Sequence, residues 1–263
     1  MPKKAKNEIT SVQNPKIKNV IKLRNARERR KQNLVVIEGM RELSLAISAG
    51  IQVESLFMCE KLLKSDDRYR VDTSKINPDS IFEVSGDVFG KMALREESDG
   101  YIALAKPSRL DLEDVRLKKN PLVIVLESVE KPGNLGAVLR TADASGADAV
   151  IVCDSQTDIY NPNVIRSSLG CIFTTQVIVC DGEQAVNWLK KKKIRIVAAT
   201  PGAKKFYYDA DLTGPCAIVM GSEAYGLSEK WLTESNAEVK IPMAGKIDSL
   251  NVSTSCAVLV FEV

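Results

Sequence analysis

The sequence predicts an α/β protein built on a parallel sheet, and three observations carry that prediction. Apolar runs at 121–126, 149–153, 177–180, 194–199 and 216–220 have the unbroken character of strands covered on both faces. Helical patterns of roughly 10–15 residues separate them, the alternation expected of successive parallel strands. Near the C-terminal end, two small polar loops each follow a strand and feed a helix. One is Gly221-Ser222-Glu223-Ala224-Tyr225-Gly226-Leu227-Ser228 after Ala217–Met220; the other is Ser249-Leu250-Asn251-Val252-Ser253 after Ile241-Pro242-Met243. Ligands of open α/β sheets sit beyond the carboxyl ends of strands, so two such loops together point to a cofactor pocket.

With 263 residues the chain holds one large or two modest domains. Charged residues are 27% of it, no apolar run approaches the length of a membrane span, and the start Met-Pro-Lys-Lys-Ala-Lys has no apolar segment after it. The six cysteines are scattered without a Cys-x-x-Cys pair and fall mostly in apolar runs. A cytoplasmic, reduced protein with no membrane association is expected. There is no histidine. That excludes Ser-His-Asp and Cys-His catalysis and argues against any metal site.

In chain order, the net charge of +3 conceals an asymmetry. Eleven Lys or Arg against two Glu give residues 1–31 a charge of +9, leaving −6 for the remainder. The helical pattern over Asn14–Gln32 places Ile17, Val20 and Ile21 at helix spacing. Its basic residues Lys16, Lys18, Lys22, Arg24, Arg27, Arg29 and Arg30 are read as contacts to a nucleic-acid phosphate backbone, the alternative being a solvated surface. Residues 34–105 form a small α/β unit: strands at 34–37, 53–58, 81–84 and 101–105, a Glu38-Gly39 turn, a helix over 40–49, and a polar excursion over 64–78. The expected division is a domain over 1–105, a charged linker over 106–119 and a second domain over 120–263.

In the second domain Pro132-Gly133-Asn134 leads into a helix whose inner stripe is Leu135, Val138, Leu139 and Ala142. Arg140 lies off that stripe, where an exposed pairing with Asp143 is the plain reading. Gly133-Asn-Leu-Gly136 is not Gly-x-Gly-x-x-Gly and there is no Walker A motif, so dinucleotide and nucleotide-triphosphate chemistry are disfavoured. Gly221 and Gly226 are expected to turn with positive φ and to let a ligand approach the main chain closely, Ser228 to cap the helix that follows, and either Ser249 or Asn251 to cap the last one.

Three stretches read together resemble the SpoU (TrmH-type) RNA 2′-O-ribose methyltransferases. Asn134-Leu-Gly-Ala-Val-Leu-Arg140-Thr-Ala-Asp-Ala-Ser-Gly146-Ala-Asp148 resembles the first family motif, and Val219-Met-Gly221-Ser-Glu223-Ala-Tyr-Gly226-Leu-Ser228 the second. Ile241-Pro-Met243 with Ser249-Leu-Asn251-Val-Ser253 resembles the third, and Tyr160–Gly170 resembles a segment that lies between motifs. The region before them, with Val36-Ile-Glu-Gly-Met-Arg-Glu42, is similar to an RNA substrate-binding domain of the ribosomal L30e type.

The resemblance implies a SPOUT-class parallel sheet with a deep C-terminal trefoil knot, preceded by the small L30e-like domain. It implies S-adenosylmethionine as cofactor, with Thr200, Gly221, Glu223, Ile241, Met243, Leu250 and Asn251 around it, and no metal. It also implies a homodimer acting on RNA, ribosomal RNA before transfer RNA, with a non-catalytic RNA-binding protein as the other reading. Asn134, Arg140, Glu223, Ser249 and Asn251 occupy the family's catalytic positions. A guanidinium is a poor base, so Arg140 is expected to position a phosphate and stabilise negative charge, with the general base left open.

Overall fold

The computed structural model describes residues 7–64, 66, 68–155 and 157–263, so Lys3, Lys4 and Lys6 of the basic N-terminal stretch lie outside it. By contacts the chain forms two units. One runs to Ser108 and includes Tyr160–Thr174; the other is Arg109–Ile159 with Thr175–Val263.

The first unit contains, in chain order, β1 (Glu8–Ile9), α1 (Pro15–Lys22), α2 (Ala26–Gln32), β2 (Val35–Glu38), α3 (Met40–Ser48), β3 (Val53–Met58), β4 (Ile81–Val84), α4 (Gly86–Met92) and β5 (Tyr101–Ala105). The sheet order is β1-β4-β3-β5-β2; β1, β4 and β3 run parallel, and β5 is antiparallel to both its neighbours. Ile17, Val20 and Leu23 pack with Phe57, Phe89, Met92 and Ile102 in its core.

The basic segment is two helices, where the sequence pattern predicts one. Asn14 and Asn25 are both N-caps, their side chains accepting from the N–H groups of Lys16 (2.9 Å) and Arg27 (2.8 Å). Arg29 departs from the expected phosphate-contacting role. It is only 4% exposed, and its guanidinium donates to the carbonyls of Leu23 (2.8 Å) and Arg24 (2.7 Å), which the break between the helices leaves unpaired. Arg24 donates to the carbonyls of Lys91, Met92 and Ala93 at the end of α4. Lys16, Lys18, Lys22, Arg27 and Arg30 are exposed, and Lys16 lies over the Phe82 ring.

The second unit carries β6 (Leu122–Glu127), α5 (Pro132–Ser145) and β7 (Ala149–Cys153), with α6 (Pro162–Ser167) contributed to the first unit. It continues through β8 (Val177–Cys180), α7 (Gly182–Lys191), β9 (Arg195–Ala199), β10 (Lys205–Phe206), β11 (Cys216–Met220), α8 (Glu229–Glu234), β12 (Ala237–Lys240) and α9 (Val252–Val260). Its seven strands are all parallel, in the order β10-β12-β9-β11-β6-β7-β8. Val123, Val125, Ile151, Ala217, Val219 and Ile196 share one core with Trp188 and Leu189 of α7 and Trp231 of α8. Leu135, Val138, Leu139 and Ala142 of α5 are buried as their spacing predicts, and α5 packs against α9. Gly146 ends α5 at φ +69, its N–H reaching back to the carbonyl of Asp143.

Two boundaries differ from the sequence reading. The expected linker 106–119 is not a free tether: Val115 is buried in the second unit's core, with Leu110, Leu112 and Leu117 packed against it. Tyr160–Thr174 groups with the first unit although the sequence division assigns it to the second domain. The reason is packing. Tyr160 stacks on Phe173 and donates its hydroxyl to the Ser108 carbonyl, and Gly170, at φ +87, lies so close to α3 that a Cβ there would come within 3.0 Å of Glu42 Cα. Among the described residues, no helix is long and apolar enough to cross a membrane.

Arg29→Ala should cost about 2 kcal/mol of stability in urea unfolding, the range for hydrogen bonds to a charged group. Arg27→Ala should stay within about 0.5 kcal/mol, as exposed surface changes do. Equal midpoints for the two variants would show that Arg29 does not hold the helix junction.

Candidate active site

Sheet register builds the site. Met220 of β11 is paired with Leu126 of β6 on one side and with Ala199 of β9 on the other. The residues that follow, Gly221, Glu127 and Thr200, therefore emerge at one level at the carboxyl edge of the sheet. Val239 of β12 is paired with Ala199 and brings Lys240 and Ile241 to the same edge. A cavity of about 260 Å³ opens there, lined by the ends of these strands and the approach to α9.

The loop after β11 is shaped by backbone crowding. The main chain doubles back so that Ser222 and Gly226 exchange N–H to carbonyl bonds of 3.1 and 2.9 Å. A Cβ on Gly221 would lie 2.1 Å from the Gly226 carbonyl, so no other residue fits without moving the loop. Of the two glycines, only Gly226 has the expected positive φ (+67); Gly221 is required by close approach, and what approaches is the chain's own returning backbone.

Ser228 also differs from expectation. It sits at the start of α8, but its hydroxyl does not cap the helix; hydroxyl and N–H both donate to the Glu127 carboxylate, each at 2.7 Å. Glu127 is 8% exposed, and these two bonds satisfy its oxygens while fixing the loop to the end of β6. Nothing local marks this pair in the sequence, since its members are 101 residues apart. The only signal is a carboxylate ending an otherwise apolar strand.

Thr200, Gly221, Glu223, Ile241, Met243, Leu250 and Ser249 all line the cavity. Asn251 does not. It is the cap of α9, accepting from the Ser253 N–H at 3.0 Å, and its Nδ2 donates to Asn134 Oδ1 at 3.1 Å. Asn134 in turn donates its Nδ2 to the Glu223 carboxylate, and Lys131 Nζ stands 3.4 Å from the same group. The start of α5, the loop after β11 and the start of α9 are thus tied through one asparagine. Arg140 is exposed on α5, is not a lining residue, and among the described residues has neither a hydrogen bond nor the ion pair with Asp143.

The lining fixes what the cavity suits. Met220, Ile241, Met243, Leu250 and Leu259 give apolar walls, Glu223 and Asp248 give carboxylates, and Lys240 is the single cation among the described residues. Polyphosphate sites rely on glycine-rich amide cradles with lysine or arginine; this cavity instead suits a nucleoside-sized group bearing positive charge. Burial pushes the Cys256 thiol of α9 up to about 12 and that of Cys216 up to about 11, so neither is a thiolate nucleophile at neutral pH. Among the described residues no cluster of three or more His, Cys, Asp or Glu could hold a metal.

Glu127→Ala should lower stability by about 1–3 kcal/mol, because two donors at the loop lose a buried partner. It should also speed proteolytic nicking within 221–228. An unaltered unfolding midpoint together with unaltered nicking would show that the carboxylate does not restrain the loop.

Residues 121–261 match the SpoU rRNA Methylase family, and residues 14–103 match the MRM3-like substrate binding domain. A solved RNA 2′-O ribose methyltransferase is 40% identical, with a TM-score of 0.85 over 97% of each chain. A solved AdoMet-bound rRNA methyltransferase from Sinorhizobium meliloti is 25% identical, with a TM-score of 0.87 over 97% of this chain and 96% of that one. The 23S rRNA (guanosine(2553)-2′-O)-methyltransferase of Bacillus subtilis (strain 168) is 28% identical over 256 residues, 97% of this chain and 98% of the relative. The cavity at the sheet's carboxyl edge thus lies inside a matched domain that spans more than half of the sequence, and the chain belongs to the SpoU rRNA Methylase family.

Proposed function

We propose that this protein transfers a methyl group from S-adenosylmethionine to a ribose 2′-hydroxyl of ribosomal RNA. The observation that carries the reading is the cavity itself: apolar walls, carboxylates for a cationic ligand and tightly turned main chain, framed by the Asn134 network. Ribosomal RNA is favoured over transfer RNA because a separate substrate-binding domain precedes the catalytic one, and because the B. subtilis relative is named for 23S rRNA. An assembly as a cytoplasmic homodimer and a trefoil knot in the catalytic unit belong to the same proposal.

When bound, S-adenosylmethionine supplies a methyl group already activated on a sulfonium. Thr200, Gly221, Ile241, Met243 and Leu250 are the residues that would enclose it, and Glu223 and Asp248 are the carboxylates of the same lining. Glu223 is held by Asn134 and Lys131, and Asn251 is held by Asn134, so these polar groups are fixed before ligand arrives. Ser249 lines the cavity beside them with its hydroxyl 3.3 Å from Asp248. Arg140, exposed and without a protein partner among the described residues, is available to an RNA phosphate. Its role is to place that phosphate and to stabilise the negative charge developing on the 2′-oxygen.

Radiolabelled S-adenosylmethionine, offered with total rRNA and separately with total tRNA, tests the proposal. Label at one alkali-resistant position of rRNA is expected; label in tRNA alone would move the substrate class. No transfer to either RNA, with RNA binding retained, would leave the non-catalytic reading. Arg140→Ala should keep cofactor affinity within about twofold while losing transfer by about a hundredfold or more, the scale for removing one charge-stabilising group. Full activity in that variant would remove Arg140 from the mechanism.

A further inference from the structure

The edge of the catalytic sheet carries a second surface beside the cavity, which shares Lys240 with it. β10 pairs with β12 so that Phe206 lies opposite Lys240, and Lys240 Nζ sits 5.4 Å from the Phe206 ring centroid. Tyr208 stacks on Phe206 with centroids 5.5 Å apart at 27°, and Tyr207 meets Tyr208 edge-on at 5.1 Å and 72°. Lys204 and Lys205 immediately precede these rings and are exposed, and Tyr208 is 52% exposed.

Lysines on a short edge strand are expected as protection against edge-to-edge pairing. That accounts for Lys204 and Lys205 but not for three consecutive aromatic residues stacked at the margin of the sheet. Aromatic rings interleaved with ammonium groups match the chemistry of unpaired nucleotides, whose bases offer π faces and whose backbone carries phosphates. Asp211 accepts from the Thr213 N–H and hydroxyl at 3.0 and 2.6 Å. Lys240 also lines the cavity, so the aromatic patch is continuous with it.

We propose that Phe206, Tyr208, Lys204, Lys205 and Lys240 form a platform for an unpaired nucleotide of the RNA substrate. Its base stacks on the exposed part of the Tyr208 ring and its phosphates meet Lys204 and Lys205. The inference rests on the methyltransferase reading for the identity of the RNA, but its test does not depend on methyl transfer.

The test uses the full chain and a fluorescein-labelled oligouridylate of about 12 nucleotides, a length typical of single-strand sites, followed by anisotropy. Tyr208→Ala should weaken binding about tenfold, and Tyr208→Trp should restore it, because every base can stack on an indole. Replacing Lys204 and Lys205 together by Ala should flatten the slope of log affinity against log salt by about 1.4, two phosphate contacts on a single strand. Binding within twofold of wild type in Tyr208→Ala, no binding of the probe by wild type, or no recovery in Tyr208→Trp would each overturn the platform. So would a change of oligomeric state in Tyr208→Ala by sedimentation, which would assign the patch to a second copy of the chain. Methyl transfer to total rRNA by the wild-type preparation is scored separately. Transfer alongside unaltered probe binding by Tyr208→Ala overturns the platform and leaves the enzyme reading standing.

Discussion

The site depends on β11 lying between β6 and β9. A central strand must satisfy its backbone on both sides, and β11 does so residue for residue, from Cys216 to Met220, with each neighbour. That pairing brings Thr200, Gly221 and Glu127 to the same edge although they come from distant parts of the chain. The core beneath holds the level: Ala217 and Val219 pack with Trp188 and Trp231, so a slip of one residue would exchange the side chains of two buried faces and break this packing. Placement of the cavity is thus a consequence of strand register before it is a matter of any polar group.

Polar contacts then decide the shape of the loops. Glu127 is buried and strongly constrained, and it fixes the start of α8. The Asn134 bridge is nearer to solvent, where hydrogen bonds and ion pairs contribute little net stability. Its value is geometric: one amide donates to Glu223 and accepts from Asn251, so the positions of two motif side chains are set by a third. Gly221 adds the steric condition, since the returning main chain occupies the space where any side chain would begin.

The longer strands and the inner stripe of α5 were legible from periodicity because each answers to a local pattern with one solution; β1 and β10, two residues each, are too short to carry one. Long-range polar pairs were not. Ser228 has the composition of a helix cap, yet its hydroxyl is claimed by Glu127 across the fold. Arg29 belongs to a basic run that reads as surface, yet the break after Lys22 turns it into the group that satisfies carbonyls at a helix end. Tyr160–Thr174 lies between β7 and β8 of the catalytic sheet in sequence yet groups with the first unit through Tyr160, Phe173 and Gly170, a choice that hydrophobic patterning does not encode. Six of the seven positions expected to hold cofactor line the cavity; Asn251 is the one that does not, because its side chain is spent on capping α9 and on Asn134. Arg140 was placed off the inner stripe by helical angle and is exposed, as that angle requires.

The most direct measurement is a calorimetric titration of S-adenosylhomocysteine into the wild-type chain and into Gly221→Ala. Binding to the wild type, with at least about tenfold weaker binding to a variant that retains its unfolding midpoint within about 1 kcal/mol, is the result the account predicts. Equal affinities for the two proteins, or no binding to wild type, would contradict the assignment of this cavity to the cofactor.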